Sequence, residues 1–422
     1  MANDYIPWPD ELLFPSDNPI LTKWLRWSIS NNMCYQPECT LAGVLTGASI
    51  VMGQMYLVSN EFCNLYSAIL LDTGRGKDGV LRGMTNMLGA AGYKSLVGAS
   101  SFSSGPGMLH ELMERNGRVV WPIDELAPDL RAIVTSNSAS HKEEVLSYLL
   151  SMYTRKTFVK RLAKSHFEIT DPCPSVCAGC QPSLFWGSAT NQKMLESGFV
   201  NRFLIFPGNN YAIPKRTHMR YVEPDVDVVS YLTGFDTSEY GPGTVNDVEG
   251  NRKEIEPTAE ASAFLEDQNN KTYAKINADK DKDIDVTNAL LCRNGFKALK
   301  IAAIYAWLRD YNNPIIDLTA AKYAYAIVDR TSTALLKSIE KNTYKSQIEG
   351  DLKAMLRFVI GAGEKGVPLD KLRKQCQSFA LTFTKVLEHA FAAHDIRYVT
   401  AKGANNKDVV RVVIRQKEES DD

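Results

Sequence analysis

The segment LYSAILLDTGRGKDGVLRG, residues 65–83, decides how this chain folds. It begins with an apolar run of strand length, passes through a glycine-rich turn and continues with apolar residues at helical spacing. In a phosphate-binding loop, small residues let successive backbone N–H groups converge on a phosphate, and a lysine reaches the outer phosphates. The helix that follows adds positive potential at its N-terminus. Gly74, Gly76 and Lys77 match these roles, in the strand-to-helix context that the motif requires.

The match to the consensus Gly-x4-Gly-Lys-Ser/Thr is incomplete. Leu71 stands at the first glycine, and Asp78 stands where a Ser/Thr hydroxyl would bind Mg²⁺. A carboxylate oxygen is also a magnesium ligand, so the sequence still predicts a site for ATP and Mg²⁺. The alternative is a glycine-rich turn with an exposed lysine. The predicted nucleotide-binding residues are Thr73, Gly74, Arg75, Gly76, Lys77, Asp78 and Gly79.

A second apolar run, RVVWPIDE at residues 118–125, ends in two adjacent carboxylates. In ATPases with an additional strand in the sheet, the first such carboxylate organises the magnesium shell and the second is the general base for the attacking water. We therefore predict that Asp124 binds Mg²⁺ together with Asp78, and that Glu125 is catalytic together with Lys77. The alternative is a helix N-cap followed by a first-turn acid.

Further catalytic candidates lie beside later strands. Gln181 follows the apolar run 174–179, at a strand end where ligands collect, and is the candidate sensor of the γ-phosphate. A plain turn residue is the alternative, and the segment 188–191 is a rival sensor. Arg202 precedes another strand and is predicted to stabilise transition-state charge in a neighbouring subunit, with a surface salt bridge as the alternative. Arg293, which heads a later helix, is a candidate for reaching a phosphate from a lid.

The composition is that of a globular protein. Hydrophobic residues make up 44% and charged residues 23% of the 422 residues, which argues against wholesale disorder. No stretch approaches the ~18 to 20 uninterrupted apolar residues of a membrane span, and the run 41–58, broken by glycines, predicts a buried packing helix. The first residues lack the basic and apolar regions of a secretory signal. Eight cysteines are too few for a disulfide scaffold, so we expect reduced thiols, a cytoplasmic location and no membrane partner.

The length predicts two or three domains at ~150 residues each. Strands that alternate with helical patterns predict an α/β fold with a P-loop NTPase core of the RecA/AAA+ type and a mostly parallel sheet. The expected parts are an N-terminal helical region over 1–60, the NTPase core over 61–207, a linker and helical lid over 208–342, a winged-helix domain over 345–415 and an acidic tail over 416–422.

The C-terminal region supplies the prediction of a DNA partner. Residues 345–417 contain 14 Lys/Arg and 7 Asp/Glu, a net charge of +7 in a chain whose total is −1. Neutralisation of phosphates provides most of the sequence-independent affinity for nucleic acid, so we expect binding to DNA, single-stranded DNA in particular. A winged helix that docks a protein is the alternative. The predicted DNA-binding residues are Lys385, Lys402, Lys407 and Arg411.

Several segments, in order, resemble the P-loop helicase-like domain of phage, plasmid and other mobile-element replication proteins, a primase-helicase-like family. The likeness covers about residues 30 to 340, and a Gly-Lys-Asp phosphate loop is a variant associated with phage members of that family. The segments are LYSAILLDTGRGKDGVLRG, FSSGPGMLHEL, RVVWPIDEL, PSVCAGCQP, GFVNRFLIFP and RNGFKALKIAAIYA.

The resemblance implies a Mg²⁺-dependent ATPase that acts as a DNA helicase or translocase in replication. It implies a homo-oligomer in a hexameric ring, in the cytoplasm of a bacterial host, with a primase or other replication proteins as partners. Lys77 and Asp78 would bind nucleotide and metal, the pair 124–125 would be the acidic pair, and Arg202 would match the arginine after the glycine turn.

Two other functions fit the same motifs. A helicase loader, or a recombination or packaging ATPase, would use the same ATP chemistry. A DNA-binding replication initiator would keep a phosphate loop that no longer hydrolyses ATP, and Leu71 and Asp78 are the features that favour it.

Overall fold

The computed structural model describes residues 6–102, 104–135, 141–154, 156–161, 166–189, 194–195, 197–212, 221–235, 252–278, 286–342, 347–377, 383–393, 395–402 and 408–414. The chain divides into two compact units, Met1–Glu340 and Lys341–Asp422. No helix among these residues is both long enough and apolar enough to cross a membrane.

The strands are numbered in chain order. They are β1 (Tyr56–Val58), β2 (Glu61–Phe62), β3 (Tyr66–Leu70), β4 (Arg118–Ile123), β5 (Phe158–Arg161), β6 (His166–Ile169), β7 (Cys173–Cys180), β8 (Phe203–Pro207), β9 (Lys253–Glu254), β10 (Val367–Pro368), β11 (Ile396–Lys402) and β12 (Asp408–Ile414).

The α-helices of the described residues are numbered in the same way. They are α1 (Asp10–Leu13), α2 (Pro19–Ser30), α3 (Pro37–Met52), α4 (Lys77–Ala90), α5 (Gly105–Glu114), α6 (Ala127–Thr135), α7 (His141–Met152), α8 (Pro182–Ala189), α9 (Val226–Gly234), α10 (Ala259–Ala278), α11 (Val286–Leu291), α12 (Asn294–Arg309), α13 (Leu318–Asn342), α14 (Gln347–Gly361), α15 (Leu369–Gln375) and α16 (Phe383–Ala392).

A four-stranded, all-parallel sheet forms the centre of the first unit, in the order β4-β7-β3-β8. Tyr66, the first residue of β3, pairs with Val176 on β7 and with Phe203 on β8. The carboxyl ends of the four strands therefore meet at one edge of the sheet. The prediction of an α/β fold with a parallel sheet is confirmed, and the sheet is compatible with a Rossmann-like or P-loop-like core. The RecA/AAA+ type and the lid stay predictions.

Both faces of the sheet are covered by helices. On one face, Ile69 and Cys177 pack in a core with residues of α3 and α4. On the other face, Ala68 and Ala178 pack in a core with residues of α5 and α7. Strands that are buried on both sides carry near-continuous apolar runs, which is why β3 and β7 show no alternation of polar and apolar residues.

The apolar run 41–58 is only partly helical. α3 is buried along its whole length, as predicted, but it ends at Met52, and β1 begins at Tyr56. Gly53 adopts φ +52°, and a Cβ there would lie 2.2 Å from Arg118 Nε. The Arg118 guanidinium takes that space and donates to Ile50 O at 3.0 Å and to Val51 O at 2.6 Å. It therefore caps carbonyls at the end of α3 that the helix leaves unpaired.

The second unit contains α14, α15 and α16 around a small antiparallel sheet in the order β10-β12-β11. Its core is formed by apolar side chains from all of these elements, among them Met355, Leu372, Val386 and Val412. Three helices followed by a β-hairpin is the order that the sequence predicts. The winged-helix assignment itself stays a prediction.

Candidate functional site

The phosphate-loop candidate lies at the carboxyl edge of the parallel sheet, between β3 and α4. Leu71 is fully buried, and its N–H donates to Cys180 O at 3.0 Å, so it continues the pairing of β3 with β7. The position of the first consensus glycine therefore lies directly after β3 and extends the pairing of β3 with β7. The turn is 72–76, exposed at 72–74 and half-buried at 75–76. Gly74 and Gly76 adopt φ +75° and +91°, and α4 begins at Lys77. These positive φ values explain why glycine stands at both positions.

Lys77 and Glu125 form an ion pair across this edge. Lys77 Nζ lies 2.6 Å from Glu125 Oε2, and the two side chains are 16% and 29% exposed. Lys77 starts α4 after β3, while Glu125 follows β4. Because β7 lies between β3 and β4, the contact joins residues from strands that are not neighbours. The pair is therefore a product of the sheet order and not of local sequence.

The carboxylate of Glu125 is held in its ionised form. Burial acts to raise the pKa of Glu125, but the hydrogen bond and charge of Lys77, with a hydrogen bond from the Cys180 thiol, outweigh burial and hold this pKa below its usual value. The N–H groups of Gln181 and Ala127 each lie 3.4 Å from Glu125 Oε1. An ionised carboxylate can accept a proton, which a general base must do.

Gly179, a residue that the sequence analysis did not select, lies under the ion pair. A Cβ at this position would come within 2.3 Å of Lys77 Cδ and 2.7 Å of Asp124 O. The strand can therefore carry no side chain here without displacing Lys77. The sequence signal was a glycine inside an otherwise apolar strand, which often marks a close approach of another group.

Asp78 and Asp124 have exposed side chains, and each is adjacent in sequence to one member of the ion pair. No group of three or more His, Cys, Asp or Glu side chains in the described part of the chain could hold a metal ion. Magnesium, however, keeps several waters and is commonly bound by one or two carboxylates plus the phosphates of a substrate. Two exposed carboxylates beside the candidate loop fit that mode of binding.

The other predicted loop residues lie around the turn. Thr73 is exposed, and the half-buried Arg75 donates from Nη1 to Ala212 O at 2.8 Å. Gly79 is buried in the first turn of α4, where its N–H donates to Gly76 O at 3.1 Å. Its N–H is thus already engaged, and a role for Gly79 in phosphate binding gains no support from the geometry.

Gln181 follows β7 directly and lies half-buried at the same edge of the sheet as Lys77. Its backbone, rather than its amide, makes the contact to Glu125. The rival segment is only partly described: Ser188 is buried in α8, while Thr190 and Asn191 lie outside the described residues. The sensor role of Gln181 stays a prediction.

Arg202 and Arg293 lie at the opposite edge of the sheet from Lys77. Arg202 precedes Phe203, which pairs with the first residue of β3, whereas the phosphate loop follows the last one. At about 3.3 Å per residue, β3 separates the two edges by roughly 15 Å. The guanidiniums of Arg202 and Arg293 lie 6.0 Å and 5.7 Å from the centroid of the Tyr153 ring. The Tyr153 ring lies 5.1 Å from the ring of Tyr66, the first residue of β3, which places both guanidiniums near the amino edge of the sheet. A role of Arg293 at a phosphate stays a prediction.

The electrostatics of this arginine pair are those of crowded cations. Burial, and then the charge of Arg293, lower the pKa of Arg202. Arg202 Nη1 donates to Gly198 O at 2.6 Å, while its Nε is buried with no hydrogen-bond partner in the structure. Action of Arg202 on a nucleotide of a neighbouring subunit stays a prediction, and action within its own chain is excluded by the strand register.

The predicted DNA-binding residues differ in their surroundings. Lys385 is exposed on α16, and Lys402 is exposed on the β-hairpin, where its Nζ lies 2.9 Å from Asp408 Oδ1. Lys407 lies outside the described residues. The Arg411 guanidinium, in contrast, donates to Lys365 O at 2.9 Å. Arg411 is half-exposed and binds the turn before β10, and its role as a DNA contact stays a prediction.

No protein-family model matches this chain, and no curated protein is significantly similar to it in sequence. The function is therefore inferred from the geometry and chemistry of the site, together with the resemblance of its motifs.

Proposed function

We propose that this protein is a Mg²⁺-dependent ATPase whose nucleotide site is formed by the loop 72–78 and the acidic pair 124–125. The observation that carries the proposal is the 2.6 Å ion pair between Lys77 and Glu125 at the carboxyl edge of the parallel sheet. A plain glycine-rich turn would leave its lysine exposed, whereas Lys77 is mostly buried against a carboxylate from a non-adjacent strand. A plain N-cap would not bring Glu125 to a lysine 48 residues away.

The residues divide the chemistry between them. In the proposed reaction, N–H groups of the loop and the N-terminus of α4 bind the phosphates, and Lys77 turns from Glu125 to the phosphate oxygens. Asp78 and Asp124 would hold Mg²⁺, which supplies positive charge to the phosphate oxygens. Glu125, released from its lysine, accepts a proton from the water that attacks the γ-phosphorus, and ADP leaves. The ion pair would thus hold the base inactive until nucleotide displaces it.

We extend the proposal to DNA as the second substrate, with helicase or translocase activity in the replication of a phage or mobile element. The support is the resemblance of the motifs and the net charge of +7 in residues 345–417. The proposed assembly is a hexameric ring in the cytoplasm of a bacterial host. A replication initiator that binds but does not hydrolyse ATP is the second candidate, and it is favoured by Asp78 in place of the Ser/Thr of the consensus.

The decisive experiment measures nucleotide binding and ATP turnover, with and without single-stranded DNA. Lys77→Ala should lose nucleotide binding, whereas Glu125→Gln should bind nucleotide and lose turnover, because an amide cannot accept the proton. Lys271→Ala, which breaks an exposed lysine–aspartate pair on α10, is the matched control and should behave like the parent. If the Lys77 and Glu125 variants both hydrolyse ATP like the parent, the site is assigned to the wrong residues.

A strand-displacement assay on forked DNA then separates the finer alternatives. Displacement that requires ATP supports the helicase. ATP turnover without displacement favours the loader or packaging ATPase, and nucleotide binding without turnover favours the initiator.

A further inference from the structure

The short segment between α2 and α3 supplies three side chains that donate to carbonyl oxygens of the phosphate loop. The carbonyls belong to three consecutive residues of the turn. The pairs are Asn32 Nδ2 to Gly76 O at 2.9 Å, Gln36 Nε2 to Arg75 O at 3.1 Å and Cys34 Sγ to Gly74 O at 3.7 Å. The thiol is the weakest donor of the three, so the two amides carry the contact.

Asn32 fits against the loop because two glycines leave it room. A Cβ at Gly76 would lie 2.4 Å from Asn32 Oδ1, and a Cβ at Gly79 would lie 2.5 Å from Asn32 Cγ. Gly79 stands inside a helix, where glycine is unfavourable by about 1 kcal/mol relative to alanine. The close approach of Asn32 explains why glycine stands at position 79, which a role in phosphate binding did not explain. Asn32 Oδ1 also accepts from Cys34 N–H at 3.4 Å, which agrees with Nδ2 as the group that faces the loop.

Gln36 is fully buried and binds two segments at once. Besides the bond to Arg75 O, its Nε2 donates to Asn209 O at 2.8 Å, and its Oε1 accepts from Asn209 N–H at 2.9 Å. Asn209 lies just after β8, so Gln36 ties the loop to a neighbouring strand end. The paired bonds to one backbone residue also fix which end of the amide faces Arg75. An amide in this position has no freedom to turn away.

These contacts matter because of the geometry of the peptide plane. In a trans peptide, the C=O of one residue and the N–H of the next point in opposite directions. Bonds that draw the carbonyls of Arg75 and Gly76 to one side therefore turn the N–H groups of Gly76 and Lys77 to the other. Those two N–H groups begin α4, where a phosphate is expected to bind.

We infer that Asn32 and Gln36 are positioning residues of the phosphate loop: they set the direction of the Gly76 and Lys77 N–H groups and so determine nucleotide affinity without contacting nucleotide. The inference rests on the proposed ATPase function. It assigns a role to the N-terminal helical region, whose connection between α2 and α3 becomes the outer support of the site. It also explains how the loop keeps its shape although Leu71, in the place of the first glycine, extends the pairing of β3 with β7.

The test uses full-length protein and variants that remove the donors without adding charge. Gln36→Met and Asn32→Leu keep the approximate shape of each side chain and leave the loop carbonyls without these partners. Gln54→Met is the matched control, because the Gln54 amide also donates to two backbone carbonyls, Asn116 O at 3.2 Å and Asp171 O at 2.8 Å, before β4 and β7 and away from the loop. Binding of a fluorescent ATP analogue with Mg²⁺, steady-state kcat and KM, and the melting temperature are measured for each protein.

The expected result is nucleotide affinity about threefold to tenfold weaker in each of the two loop variants, which is the effect that loss of one hydrogen bond typically has. KM should rise by a similar factor while kcat stays within about twofold, because the lost interaction binds ground state and transition state alike. Gln54→Met should keep the KM of the parent. If Gln36→Met does not fold, Asn32→Leu gives the same readout.

Three outcomes oppose the inference in distinguishable ways. Affinity unchanged in both loop variants would show that the carbonyl contacts do not position the loop. An equal rise in KM for Gln54→Met would show that the effect is a general loss of stability. A parent protein that binds no nucleotide would instead overturn the proposed function, and the inference with it.

Discussion

Replacement of Gly179 by alanine is a direct test of how closely β7 supports the ion pair. The added Cβ would lie 2.3 Å from Lys77 Cδ and 2.7 Å from both Lys77 Cγ and Asp124 O, distances that real Cβ atoms essentially never show. The lysine side chain can move, but the backbone oxygen moves only with the end of β4. Overpacking of this kind costs about 1–3 kcal/mol, which in a unit of this size corresponds to a fall of a few degrees in melting temperature.

The effect on turnover should be larger than the effect on stability. A displacement of Lys77 by about 1 Å is enough to lower the rate by roughly a hundredfold, because the catalytic groups no longer meet the substrate in the right geometry. ATP hydrolysis and thermal unfolding are measured on the same preparations. Gly89→Ala, in α4, is the control: a Cβ there meets nothing within 4 Å, so it should keep the parent's turnover and melt no lower. Turnover in Gly179→Ala equal to that in Gly89→Ala would refute the reasoning.

A double variant separates the two sources of the clash without any activity measurement. In Lys77→Ala, the two close contacts to the lysine side chain disappear and only the contact to Asp124 O remains. The fall in melting temperature caused by Gly179→Ala should therefore be smaller in that background, since neighbouring changes are not additive. An equal fall in both backgrounds would show that Lys77 does not pack on β7.

Three further results are expected. Lys385→Glu and Lys402→Glu should weaken DNA binding and lower its salt dependence, with little change in melting temperature. Arg411→Ala should instead lower the melting temperature of the second unit. Equal salt slopes in the parent and the lysine variants would favour a protein-docking role. Burial lowers the pKa of Lys300 to about 8, so between pH 8 and 10.5 the unfolded chain binds more protons than the folded chain. The free energy of unfolding, measured in urea, should therefore rise with pH across that window relative to Lys300→Met. Arg202→Ala subunits mixed with the parent should reduce ATP turnover by more than their mole fraction; a strictly proportional loss would point to no ring.

The fold class could be predicted from the sequence because its signals are local. Short apolar runs followed by glycine-rich turns and helical spacing indicate parallel strands with crossover helices. The four-stranded sheet is parallel throughout. The end of α3 is harder to predict from the sequence, because residues 53–58 continue the apolar pattern. What ends that helix is the Arg118 guanidinium beside Gly53, a contact between residues 65 positions apart. No local pattern contains it.

The residues of the candidate site also differ in whether a local sequence motif predicts them. The loop and the acidic pair have motifs, and the structure brings Lys77 and Glu125 together, although their catalytic roles stay predictions. Asn32 and Gln36 belong to no sequence motif. An amide in a short connection between helices resembles any polar loop residue until its hydrogen-bond partners are known. Gly179 had a weak sequence signal, a glycine inside a buried strand. Such a glycine often marks a close approach of another group.

The position of Arg202 follows from parallel topology and bears on the proposed assembly. A residue just before a parallel strand lies at the amino edge of the sheet, while a phosphate loop just after another strand lies at the carboxyl edge. The pairing of Tyr66 with Phe203 shows that β3 and β8 begin at the same edge. An arginine that served its own nucleotide would have to cross the sheet. One that serves a neighbour needs the amino edge of one subunit to face the carboxyl edge of the next, a head-to-tail contact that closes into a ring when its rotation allows.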